Sequence, residues 1–101
     1  MNTNTTSLID TLNHYGDFAL GGESANEVAA QWERHGFTLA ADVDAWLKAR
    51  CFDPQAASDL WAAGVTPSQA TAAVMVGGQS VTIGYAVSNG DLSADAAVDL
   101  A

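Results

Sequence analysis

One cysteine, two histidines and twelve carboxylates are the side chains through which this sequence could do chemistry. Nucleophilic catalysis needs a thiol or hydroxyl beside an oriented base. Cys51 lies between Arg50 and Phe52. An adjacent arginine favours a thiolate, but no histidine motif accompanies it, so Cys51 reads as a small buried residue under a turn between helices. A structural zinc takes about four Cys or His ligands, and Cys51 with His14 and His35 does not supply them. His14 reads as a surface residue of the first helix. His35 falls in a last helical turn, where positive charge suits the helix dipole. Asp42-Val43-Asp44 resembles an acidic metal loop only in composition, because it lies inside a strong helical pattern with no Gly or Glu at calcium-loop spacing. Gly77-Gly78 has no following lysine to hold a phosphate. The expectation is a protein that is not an enzyme, with no cofactor and no metal.

The carboxylates remain. Twelve acids face three bases, Arg34, Lys48 and Arg50, for a net charge of −9, and residues 51–101 contain no Lys or Arg. Such a surface repels phosphate backbones and attracts basic partners, the more weakly as salt rises. It also serves plain solubility. Some acids have local structural tasks: Asp53 as a helix cap, Glu27 in a capping box, Asp10 and Asp42 in first helical turns. Asp42, Asp44, Asp59, Asp91, Asp95 and Asp99 are the candidate partner-binding acids. Asp95 and Asp99 form a like-charge i,i+4 pair at the unfavourable end of a last helix. They read either as a solvated terminus or as a negative patch, joined by Asp91, that favours a basic partner.

Cap and stop signals define the elements that must position these acids. Ser7, with Asp10 three residues on, is the expected cap of a first helix carrying Leu8, Ile9 and Leu12, ended at Gly16 or Gly21-Gly22. Ser24 and Glu27 open a second helix with Val28 and Trp32 inward and Gly36 as its stop. Thr38 is the expected cap of a third, in which Leu39, Val43, Trp46 and Leu47 make an apolar stripe of helical period and Asp44 pairs with Lys48. Asp53-Pro54 opens a fourth, with Leu60 and Trp61 inward and Gly64 as its stop. Trp32, Trp46 and Trp61, spaced by 14 and 15 residues, suggest a rough repeat of short helices. Each is followed by an apolar residue and a cap: Phe37-Thr38, Phe52-Asp53 and Val65-Thr66.

Residues 74–87 have two readings. Val81, Ile83, Tyr85 and Val87 alternate as in a strand, with Val74-Met75-Val76 as hairpin partner. Alternatively Ser80 caps a helix stopped by Asn89-Gly90, with Gly84 allowing a neighbour to approach. The helix is preferred, because an isolated two-stranded hairpin is only marginally stable. Ser93 caps the last helix.

The stretch LWAAGVTPSQATAAV, residues 60–74, has the form of a helix-turn-helix, with a second helix opening at Thr66-Pro67. A DNA-reading helix needs polar or basic side chains at its start and Lys or Arg on the phosphates. This segment has neither base, so the motif is expected to pack helices and not to bind DNA directly.

The fold expected is all-α: residues 1–101 as one helical domain, a bundle of six or seven short helices joined by tight capped turns, with a β-hairpin within 74–87 as the alternative. Its core is expected around Trp32, Trp46 and Trp61 with Phe37, Phe52, Leu39, Val43, Leu47 and Leu60. One cysteine excludes an internal disulfide. No stretch is long and apolar enough to span a membrane, and MNTNTTSL lacks the features of a signal peptide, so a cytoplasmic protein is expected.

A short, cysteine-poor, strongly acidic helical chain without catalytic residues resembles, as a class, phage-encoded inhibitors of bacterial defence such as anti-CRISPR proteins and DNA mimics. The resemblance covers size and the acids named above, and no motif. It implies a non-enzymatic inhibitor, monomer or homodimer, acting in the host cytoplasm on a basic surface, such as that of a nucleic-acid-binding defence complex. The alternatives are a helical scaffold module that self-associates through apolar surface around Val74, Met75, Val76 and Tyr85, and a helix-turn-helix regulator.

Overall fold

The computed structural model describes residues 3–100, with side chains from Ser7 to Leu100. The described residues form seven helices and one small β-hairpin: α1 (Thr3–Tyr15), α2 (Asp17–Leu20), α3 (Ala25–Arg34), α4 (Ala40–Lys48), α5 (Pro54–Ala62), β1 (Ala73–Val76), β2 (Gln79–Thr82), α6 (Ile83–Ser88) and α7 (Ala94–Leu100). Helix α1 packs on α3 and α4, while α5 packs on α6 and α7.

Three turns in succession share one design. At the end of α3, the Phe37 N–H donates to the Trp32 carbonyl and the Gly36 N–H to Glu33. At the end of α4, Cys51 donates to Trp46 and Arg50 to Leu47; at the end of α5, Val65 donates to Leu60 and Gly64 to Trp61. These are Schellman motifs, in which the residue just past the helix takes a left-handed conformation and the next packs back on the last turn. Their acceptors, Trp32, Trp46 and Leu60, are 14 residues apart at each step. The third member of the repeat is therefore Leu60 and not Trp61, and the packed apolar residues are Phe37, Cys51 and Val65. Leu60 is fully buried, as are Trp32 and Trp46 to within 1 %, whereas Trp61 is 60 % exposed. One residue along a helix is a rotation of about 100°, which takes Trp61 out of the expected core.

Other local expectations also shift. Ser7 lies inside α1, which starts at Thr3, and Asp10 is mid-helix; buried Leu8 and Leu12 anchor the helix without a cap at Ser7. Leu39, not Thr38, holds the cap position of α4; its extended backbone turns the side chain to solvent, 51 % exposed. The caps expected at three other helix starts form: Ser24 accepts from the Glu27 N–H, Asp53 from Gln55 and Ser93 from Ala96.

The expected second helix of LWAAGVTPSQATAAV does not form. The capping box is complete, with the Thr66 N–H on Gln69 Oε1 at 3.0 Å and the Gln69 N–H on Thr66 Oγ1 at 3.2 Å. Yet only one 3-10 turn, Gln69–Thr71, follows. The chain then enters β1, and Gly77 and Gly78, at φ 57° and 82°, make the two-residue turn into β2. Both central residues at positive φ match the twist of a hairpin. The preference for helix over 74–87 thus holds only for 83–88. The hairpin is not isolated: the Ile83 N–H donates to the Ala72 carbonyl, and α6 packs against both strands. Thr82, not Ser80, caps α6 through the Tyr85 N–H.

Helix α6 is stitched to the end of α4. The Thr82 hydroxyl donates to the Ala49 carbonyl, Gly84 lies against Ala49 and Cys51, and Ser88 Oγ donates to Cys51 Sγ at 3.4 Å. Around this seam the core runs from Leu8 and Leu12 through Trp32, Phe37, Trp46 and Leu47 to Leu60, Val65 and Ile83. Phe37 sits edge-on between Trp32 and Trp46, ring centres 5.4 and 6.2 Å away.

Candidate functional site

The six candidate acids do not form one patch. Asp44 serves the fold. Its Oδ1 accepts the Tyr15 hydroxyl at 2.8 Å across the α1–α4 contact, and its Oδ2 lies 3.1 Å from Lys48 Nζ, as the i,i+4 spacing predicts. Partial burial opposes the Asp44 charge, but hydrogen bonds from Tyr15 and Lys48, with the nearby Lys48 and His14 charges, hold its carboxyl below the ordinary range. Burial, then the Asp44 hydrogen bond and charge, push the Tyr15 hydroxyl up to about 12.

Asp59 and Asp95, 36 positions apart in sequence, line one shallow groove where α5 meets α7, with Ala62, Ala63, Ser93 and Ala94. No Lys or Arg lines it. Asp59 accepts a hydrogen bond from Gln55 Nε2 at 2.9 Å, which leaves its charge uncompensated. Asp99 lies one helical turn beyond Asp95, and Asp91 lies in the turn before α7; both are exposed.

Asp42 lies elsewhere, in a cleft of about 630 Å³ lined by His35, Gly36, Phe37, Trp46, Ser58, Trp61, Thr66 and Pro67. Three of the repeat's helices contribute: the end of α3 gives His35, the first turn of α4 gives Asp42, and the last turn of α5 gives Trp61. Among the described residues the Asp42 carboxylate has no hydrogen bond or ion pair of its own. Sequence reasoning placed Trp61 in the core and so missed this cleft. The available signal was the step from Trp46 to Trp61, one residue longer than the step before it.

A third groove, of about 410 Å³, is lined by Phe18, Arg50, Phe52, Tyr85 and strand β2. Phe18 is 70 % exposed and stacks on Phe52, ring centres 6.2 Å apart. Arg50 is its only charged lining residue.

The single thiol is poorly suited to chemistry. Cys51 is fully buried, and desolvation pushes its pKa up to about 11 against an opposing hydrogen bond from Ser88. Its Sγ donates to the Asp53 carbonyl at 3.8 Å. Among the described residues no three His, Cys, Asp or Glu side chains come together to hold a metal, and no helix is long and apolar enough to cross a membrane. No protein-family model, curated protein or solved structure matches the chain.

Proposed function

We propose that this protein is a non-enzymatic binding protein whose acidic surface occupies a basic surface of a partner protein. The observation that carries the reading is the Asp59–Asp95 groove. Folding brings two carboxylates from distant parts of the chain to one groove without a cation, on a molecule already at −9. Uncompensated carboxylates on a molecule of this net charge attract a basic surface, and such a partner relieves the self-repulsion of the whole. The resemblance in size and acidity to phage-encoded inhibitors of bacterial defence makes a nucleic-acid-binding defence nuclease the partner class to test first.

The experiment is competition. The protein is added to a DNA-bound CRISPR effector nuclease and release of labelled DNA is followed by fluorescence anisotropy. Release is expected at about 50 mM salt, reduced severalfold at about 300 mM, where screening is stronger. Asp59→Asn with Asp95→Asn should weaken it further. Release that is indifferent to both salt and the double substitution counts against the reading.

A second reading, self-association, has its own observation. Residues 60–90 carry no charged side chain, Met75 on β1 is 69 % exposed, and the outer edges of a two-stranded sheet are open to pairing. Light scattering that shows mass rising with concentration, unaffected by salt, would favour it.

A further inference from the structure

Trp61 is an indole placed in solvent by a fold that buries Trp32 and Trp46 completely or nearly so. A large apolar ring at 60 % exposure forgoes the burial that otherwise stabilises such a side chain. It does not stand alone. It lines one cleft together with buried Phe37 and Trp46, with His35 at the end of α3, and with exposed Asp42. The lining is thus aromatic, concave and provided with one anionic group that no Lys or Arg of the cleft neutralises.

That combination selects a ligand chemistry. An exposed indole face attracts a cation through its ring quadrupole, and Trp does so best among the aromatic residues. The Asp42 carboxylate in the same cleft adds a charged hydrogen-bond acceptor. A planar guanidinium satisfies both at once, stacking flat on the indole while donating two parallel N–H bonds to the carboxylate. An ammonium is a compact, strongly hydrated point charge that can do only the second well. Phosphate and nucleic acid are repelled by Asp42 and by the net charge of −9.

We infer that the Trp61–Asp42 cleft holds an arginine side chain presented by the basic partner, with the guanidinium stacked on Trp61 and paired with Asp42. This rests on the proposed function and names the residue type that the partner inserts. Trp is among the residues enriched at the energetic centres of interfaces, as is Arg, and each tends to lie opposite another such residue.

The test uses the full chain with capped hexa-arginine and hexa-lysine peptides. Calorimetry gives the affinities. Tryptophan emission reports the site, because Trp61 is the exposed indole. Hexa-arginine is expected to bind and to shift that emission, and hexa-lysine to bind several-fold more weakly. Trp61→Ala and Asp42→Asn should each weaken hexa-arginine by about tenfold, which corresponds to about 1.4 kcal/mol. Asp17→Asn removes the same charge from an exposed acid outside the cleft and outside the candidate partner-binding set, and should change binding by less than about twofold, as expected for a distant screened charge. If hexa-arginine binds but Trp61→Ala and Asp42→Asn bind it as well as Asp17→Asn does, the cleft assignment is overturned while the acidic-surface reading stands. Equal binding of the two peptides overturns it in the same way. If neither peptide binds, both readings fall.

Discussion

Gly84 packs so tightly on the end of α4 that a Cβ there would stand 2.5 Å from the Ala49 carbonyl oxygen and 3.0 Å from Cys51 Cβ. This contact joins α6, and the hairpin before it, to the three-helix repeat. Gly84→Ala forces its methyl against the Ala49 backbone, which no rotamer change relieves. The substitution should cost about 1–3 kcal/mol, the range for overpacking a close contact. Urea unfolding should show a lower midpoint at unchanged slope, and an unchanged midpoint would mean that α6 is not seated on Ala49.

Arg50 occupies the left-handed position that Gly36 and Gly64 hold in the neighbouring turns, at φ 63°. An L-residue there is strained by about 1–2 kcal/mol, partly offset in glycine by about 0.5–1 kcal/mol of extra chain entropy. Arg50→Gly is therefore expected to stabilise the fold by up to about 1 kcal/mol. In a chain of this size that corresponds to a rise of roughly 4–8 °C in Tm. Arg50→Ala keeps the strain, so it should bring no such gain. Calorimetric scans of the two variants separate backbone relief from loss of charge.

The Tyr15–Asp44 hydrogen bond makes stability depend on pH at both extremes. The Asp44 pKa is depressed in the fold, so its contribution is present above the unfolded carboxylate pKa and is lost as pH falls through the folded value. The Tyr15 pKa is raised to about 12 from 10.0, so its contribution is full below pH 10 and is lost as pH climbs toward 12. Tyr15→Phe should cost about 1 kcal/mol at neutral pH, as for a hydrogen bond to a charged group at a partly exposed site. It should also flatten the alkaline fall and lessen the acid one. Urea midpoints near pH 3, 7 and 11 give the comparison.

The repeat register makes a sharp distinction between two tryptophans. Trp46→Ala empties a fully packed site and should cost about 3–5 kcal/mol. Trp61→Ala removes an exposed ring and should change stability by no more than about 0.5 kcal/mol, the usual range for surface substitutions. Comparable losses at the two sites would restore Trp61 to the core.

Most helices and their ends are legible in the chain, because they follow from interactions within a few residues of one another. The caps at Ser24, Asp53 and Ser93, the left-handed stops at Gly36 and Gly64, and the Asp44–Lys48 pair all span five residues or fewer, and each appears where its spacing places it. Even the close approach at Gly84 was legible, though not the partner it meets.

What lay beyond the sequence depends on contacts between distant segments. Trp61 and Leu60 are adjacent and both apolar, and only the packing of Val65 back onto the last turn of α5 decides which of them is buried. Residues 74–87 carry signals for helix and for hairpin. The Ala72–Ile83 hydrogen bond and the packing of α6 go with a hairpin over 73–82 and a helix over 83–88, stabilising a hairpin that would be marginal alone. The candidate acids show the same division. Their number and sign are properties of the chain, but that Asp44 is held by Tyr15, that Asp59 and Asp95 line one groove, and that Asp42 shares a cleft with an exposed tryptophan follow from how the helices pack. Local spacing selects the elements. Tertiary packing selects which side chains remain available to a partner.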